Sequence, residues 1–86
     1  MSLTISHDPD KGEFYLDESG VKAYLAYREL EGKTLDLYHT SVPAALEGQG
    51  VAAALTERAL QFARDNGYSV QPTCAYVQKY LQDHPQ

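Results

Sequence analysis

A helix-period stripe held between two short strand-like runs constrains this chain most. Val51, Leu55, Ala59, Phe62 and Ala63 recur at helical spacing over 51–66, leaving Glu57, Arg58, Gln61 and Asp65 to face solvent. Gly67 follows as a C-terminal cap, with Arg64 in the last turn. The runs over 34–42 and 68–72 on either side read as strands. A strand, a helix and a strand joined this closely make a right-handed crossover, so the two strands lie parallel in one sheet. In such a unit ligands bind beyond the carboxyl end of the first strand, at the helix N-terminus. That place is filled by Leu46-Glu47-Gly48-Gln49-Gly50-Val51-Ala52. Two glycines and an alanine clear side chains from N–H groups that have no intrahelical acceptor, and the helix dipole there favours negative charge. The segment reads either as a cradle for an anion such as a diphosphate or as a flexible turn into the helix.

The rest of the chain supplies an antiparallel meander. Residues 1–11 are a polar N-terminal segment with Asp8-Pro9-Asp10 as a turn signal. Residues 13–16 alternate as a strand does, Glu18-Ser19-Gly20 makes a hairpin turn, and 21–30 form a second strand. Its two faces carry Val21, Ala23, Leu25 and Tyr27 on one side and Tyr24, Ala26 and Arg28 on the other. After Glu31-Gly32-Lys33, the third strand puts Leu35, Leu37, His39 and Ser41 on one side and Tyr38, Thr40 and Val42 on the other. Apolar groups on both sides make this strand central. Pro43 cannot donate to a ladder, so neighbouring strands part there and leave a cleft. Residues 75–82 form a short helix with Val77, Tyr80 and Leu81 turned inward. The expected fold is α+β, a three-stranded meander, a helix, a parallel strand and a C-terminal helix (βββαβα), in one domain over 1–86.

Composition narrows the function. The 86 residues carry a net charge of −5 and no basic run, which argues against a nucleic-acid partner. Cys74 is the single cysteine, so no intramolecular disulfide forms and a reducing compartment is expected. The first residues lack the apolar core of a signal peptide, and no apolar run approaches the ~20 residues that span a bilayer. A cytoplasmic protein without a membrane partner is therefore expected. Three scattered histidines lack ligand spacing, so no metal is expected.

Three blocks then resemble the GNAT superfamily of N-acetyltransferases, in particular its small single-domain YjdJ-like branch. The coenzyme-binding pattern Gln/Arg-x-x-Gly-x-Gly/Ala falls on Glu47, Gly50 and Ala52. His39-Thr40-Ser41-Val42-Pro43 precedes it, and Pro72-Thr73-Cys74-Ala75-Tyr76-Val77 follows, with Tyr80 and His84-Pro85 beyond. The likeness covers residues from about 12 to 86. It implies acetyl-CoA as cosubstrate, its pyrophosphate held by the amides of Gln49, Gly50, Val51, Ala52 and Ala53. Its pantetheine arm would pair with backbone groups near Ser41 and Val42, like an added strand. It implies transfer of an acetyl group to a primary amine on a small molecule or peptide. Glu47 departs from the pattern, placing an anion where the superfamily has Gln or Arg; its carboxylate either repels the diphosphate or points away along the helix dipole.

The candidate catalytic groups each carry a second reading. Cys74 serves as nucleophile or proton donor, or is a small buried hydrophobe. His39 serves as general base, or is a hydrogen-bonded core residue; on a strand adjacent to the one ending at Cys74, it could pair with the thiol. Tyr76 suits a general acid by its place after the last strand, and Tyr76 and Tyr80 otherwise pack as core aromatics. His7 and His84 are expected to be solvated. The alternatives to an enzyme are a non-catalytic CoA or acyl-CoA-binding module of the same fold and an interaction domain whose loop is unused. A monomer or weak homodimer is expected, the latter able to complete an acceptor pocket.

Overall fold

Strand alternation and two tight turns build the sheet. In the computed structural model, β1 is Ser6–Asp8, β2 Glu13–Glu18, β3 Val21–Leu30, β4 Thr34–Ser41 and β5 Ser69–Gln71. The helices are a short 3-10 turn at Ala44–Leu46, α1 at Val51–Asp65 and α2 at Ala75–Asp83. The structure describes residues 3–85; Met1 and Ser2 of the polar first segment, and Gln86 at the chain end, lie outside them. The strands lie in the order β1-β2-β3-β4-β5, with β1 to β4 antiparallel and β5 parallel to β4. The crossover, the central place of β4 and both helices are as the sequence led us to expect.

One face of the sheet carries the core. Phe14, Leu25, Leu35 and Leu37 are fully buried there, and α1 lays Val51, Leu55, Ala59 and Ala63 against them. Each such large aliphatic side chain is worth about 1.5–3 kcal/mol of burial. Thr56, also fully buried in α1, satisfies its hydroxyl by donating to the Ala52 carbonyl at 2.9 Å. The helix ends in a Schellman motif, with the Tyr68 N–H on the Ala63 carbonyl at 2.8 Å and the Gly67 N–H on the Arg64 carbonyl at 3.4 Å. α2 adds Val77 and Tyr80 to the same core, and the Tyr80 hydroxyl donates to Glu57 of α1 at 2.8 Å. No helix of the described residues is long and apolar enough to cross a membrane.

Two features depart from the expected fold, and both follow from local packing. First, part of the polar N-terminal segment is a strand. Ser6, His7 and Asp8 pair with Tyr15, Phe14 and Glu13, and Leu3 and Ile5 pack against the core. His7 is accordingly half-buried rather than solvated. Its ring stacks on Phe14 at 4.2 Å between centroids, and its Nε2 lies 2.6 Å from the Tyr27 hydroxyl. His84 is exposed, as expected, yet its ring stacks on Tyr80 at 4.3 Å.

Second, β4 is bulged. Tyr27 pairs with Leu37 and Ala26 with His39, so Tyr38 is the extra residue. Beyond it the alternation is inverted. Thr40 sits opposite the buried Leu25 and shares its face, whereas His39 sits opposite Ala26 on the other face, near Tyr24. This corrects the faces read from simple alternation, which grouped His39 with Leu35 and Leu37.

Candidate active site

The N-terminus of α1 opens at the carboxyl end of the parallel pair. Leu46 and Val51 are buried and anchor the two ends of the glycine loop, while Glu47, Gly48, Gln49 and Gly50 between them are exposed. Gly50 caps the helix in the left-handed conformation, with φ of 75°. Its carbonyl accepts the first helical bond, from the Ala54 N–H at 3.0 Å. Among the described residues no protein group accepts from the N–H of Gln49, Gly50, Val51, Ala52 or Ala53. The positive φ of Gly50 favours glycine, although a Cβ there would meet nothing within 4 Å. The first turn of α1 holds no acidic side chain. The loop has the properties of an anion site: aligned, unpartnered donors on a helix dipole.

The second part of the site forms where β5 leaves β4. β5 pairs with Thr34, Leu35 and Asp36 only. The chain then turns, the Thr73 N–H bonding the Gln71 carbonyl at 3.1 Å, and docks once more through the Cys74 N–H on the Leu37 carbonyl at 2.8 Å. β4 continues past this point to Ser41 without a β5 partner, so its edge is open from the bulge to the half-buried Ser41 and Val42. Pro43 ends pairing as its missing donor requires.

Cys74 lies at that opening as the N-cap of α2. Its sulfur is 3.4 Å from the Thr40 hydroxyl. Burial pushes the thiol up, but the Thr40 hydroxyl and the nearby backbone N–H groups of Val77, Tyr76 and Thr40 favour the thiolate more, and its pKa lies below the ordinary value. Tyr76 is 38% exposed on the first turn of α2, its phenol raised by burial and then by the Glu57 carboxylate. Tyr80 is pushed up to about 12 by burial and by its hydrogen bond to Glu57. Both phenols therefore stay protonated at neutral pH.

The structure brings Cys74 to Thr40 and not to His39. The bulge turns His39 to the opposite face, so the Cys–His pair expected from adjacent strands does not form. Thr40 is the neighbour that sequence reasoning missed; it stood inside the His-Thr-Ser-Val-Pro block but was assigned to the wrong face. Two clefts, of about 300 and 270 Å³, lie along α1 and around Tyr80 and Leu81, and neither includes the glycine loop or Cys74. Among the described residues no three His, Cys, Asp or Glu side chains gather as metal ligands.

Comparison with known proteins agrees with this geometry. A sequence profile of the GCN5-related N-acetyltransferases matches residues 13–86. Protein NATD1 of Xenopus tropicalis is 35% identical over 86 residues, covering 98% of this chain and 79% of its own. Human N-acetyltransferase 8B is 55% identical over 40 residues, covering 46% of this chain and 18% of its own. An NMR structure of a Staphylococcus aureus protein described as GCN5-like superposes with a TM-score of 0.73 at 25% identity, covering 94% of this chain and 79% of that one. The chain belongs to the GCN5-related N-acetyltransferase superfamily.

Proposed function

We propose that the chain transfers an acetyl group from acetyl-CoA to a primary amine on a small molecule or peptide, in the cytoplasm. Family membership supports acyl transfer in general. The observation that carries the finer reading is a conjunction: unpartnered amides at the α1 N-terminus and a thiol of lowered pKa at the same end of the β4–β5 pair. The amides of Gln49, Gly50, Val51, Ala52 and Ala53 hold the pyrophosphate. The open edge of β4 at Ser41 and Val42 pairs with the pantetheine arm.

Acetyl transfer needs a deprotonated amine, a stabilised oxyanion and a protonated leaving thiolate. The amine nitrogen forms a bond to the thioester carbonyl carbon, the carbon–sulfur bond breaks, and the departing sulfur takes a proton. Cys74 supplies that proton or first accepts the acetyl group itself, and the protonated phenol of Tyr76 is the other donor at hand. His39, exposed on the far face of β4, takes the amine proton from an acceptor that enters through the open edge from that side.

Calorimetric titration with acetyl-CoA tests the binding half; absence of heat at millimolar coenzyme sinks the proposal. Thiol release with a panel of amines tests the chemistry. Turnover lost in Cys74→Ala with coenzyme affinity kept is the expected result. A second reading, a module that holds CoA or acyl-CoA without turning it over, is favoured by the exposed Glu47 beside the loop and by the separation of His39 from Cys74. Coenzyme binding without turnover on any amine establishes it instead.

A further inference from the structure

The corner that carries Cys74 is clamped from β4 by a group the proposed chemistry does not use. Asp36 is 7% exposed on the face of β4 opposite the core, between Arg28 of β3 and Gln71 of β5. Its carboxylate accepts a hydrogen bond from the Thr73 hydroxyl, and the Arg28 Nε lies 3.5 Å from its other oxygen. Thr73, with Pro72, links the end of the β5 ladder to Cys74. It is held at three atoms: its N–H by the Gln71 carbonyl, its hydroxyl by Asp36, and its carbonyl by the Gln78 side chain at 3.4 Å. Pro72 cannot donate a main-chain bond, so the corner's main-chain bond to β4 is the Cys74 N–H on Leu37. Asp36 thus ties Arg28 and Thr73 to one buried carboxylate, a group that is costly to bury without such partners.

We propose that Asp36 is a positioning residue, which through Thr73 fixes the corner that sets the Cys74 sulfur against Thr40 and the first N–H groups of α2. The importance of that position rests on the acyl-transfer reading, but the geometry and its test do not. The step concerned is an ordinary thiol ionisation, Cys74 losing its proton to solvent.

Cys74 is the only thiol in the chain, so its alkylation by iodoacetamide across pH 6 to 10, followed by intact mass, reports its ionisation directly. Thr73→Val removes the hydroxyl at an exposed residue and is expected to raise the midpoint by about one pH unit, roughly a tenfold loss of rate near neutrality. Thr73→Ser keeps the hydroxyl and is expected to keep the parent profile. Asp36→Ala is the sharper arm. Removing a nearby anion would by charge alone favour the thiolate and lower the midpoint. Loss of the clamp raises it. A raised midpoint in Thr73→Val and Asp36→Ala, with the Thr73→Ser profile unchanged, is the expected outcome. An unmoved midpoint in Thr73→Val, or a lowered one in Asp36→Ala, overturns the proposal. Should Asp36→Ala fail to fold, the two Thr73 variants decide it alone. No coenzyme enters the assay, so its failure is separate from any failure to bind acetyl-CoA.

Discussion

The Thr40 hydroxyl stands 3.4 Å from the Cys74 sulfur because β4 carries one residue more than its partner strand at that point. Without the extra residue at Tyr38, strict alternation would put Thr40 on the far face and His39 beside the thiol. The bulge thus chooses the thiol's neighbour, replacing a titratable ring by a neutral hydroxyl donor. Thr40→Val keeps the shape and removes that donor. We expect the alkylation midpoint of Cys74 to rise by about half a unit, a roughly threefold slower reaction near neutrality. A profile that superposes on the parent's would show that the backbone N–H groups alone depress the thiol.

Gly50 separates conformational strain from ligand access. An alanine there takes a left-handed backbone at a cost of about 1–2 kcal/mol, and its methyl meets no other group of the protein within 4 Å at the start of α1. Gly32, in the β3–β4 turn at the opposite end of the sheet, has the same backbone handedness and the same open surroundings. Urea midpoints of Gly50→Ala and Gly32→Ala are therefore expected to fall alike. Coenzyme affinity is expected to fall tenfold or more in Gly50→Ala alone, about 1.4 kcal/mol or more. Equal affinities in the two variants would place the diphosphate elsewhere.

Much of this arrangement is legible before any coordinates. The change from period two to period 3.6 at the glycine loop, and back after Gly67, fixes the crossover and its handedness. It thereby brings the α1 amides and Cys74 to one end of the sheet. Three things are not legible, for physical reasons. Ser6, His7 and Asp8 make a strand whose inward residue is a histidine stacked on Phe14, which hydropathy does not register, although Leu3 and Ile5 just before it alternate and pack on the core. The bulge leaves no mark either. Tyr38, His39 and Thr40 suit a strand equally well in both registers, and only the pairing with Tyr27 and Ala26 shows which residue is extra. The Asp36–Thr73 bond is likewise invisible, since it joins residues 37 apart across a corner that no periodicity describes.

His7 gives the fold a pH dependence of known sign. Burial and then the Arg58 guanidinium lower its pKa from 6.5, with Asp8 opposing more weakly. The unfolded chain therefore binds the His7 proton more readily than the folded one. The stability it contributes is complete above pH 6.5 and is lost as pH falls from there through the folded-state value. We expect the parent's urea midpoint to be level above that pH and to decline below it, and His7→Gln to decline less steeply over the same interval. Parallel curves would mean that other groups govern the acid limb.

Glu47 is the one feature of the loop that works against a diphosphate. Its side chain is exposed, four residues before the helix begins, and the superfamily pattern has a neutral or cationic group there. A solvated carboxylate a few ångströms from a phosphate costs about 1 kcal/mol. Glu47→Gln is accordingly expected to tighten acetyl-CoA binding about fivefold at low ionic strength. The gain should fade toward ~1 M salt, where the screening length shrinks to about 3 Å. The pair of titrations, parent and variant at both salt concentrations, separates the two orientations open to this side chain. A gain that disappears with salt means that the carboxylate faces the anion. No gain at low salt means that it points away and acts only on the helix dipole, leaving the amides of Gln49 to Ala53 to set the affinity alone.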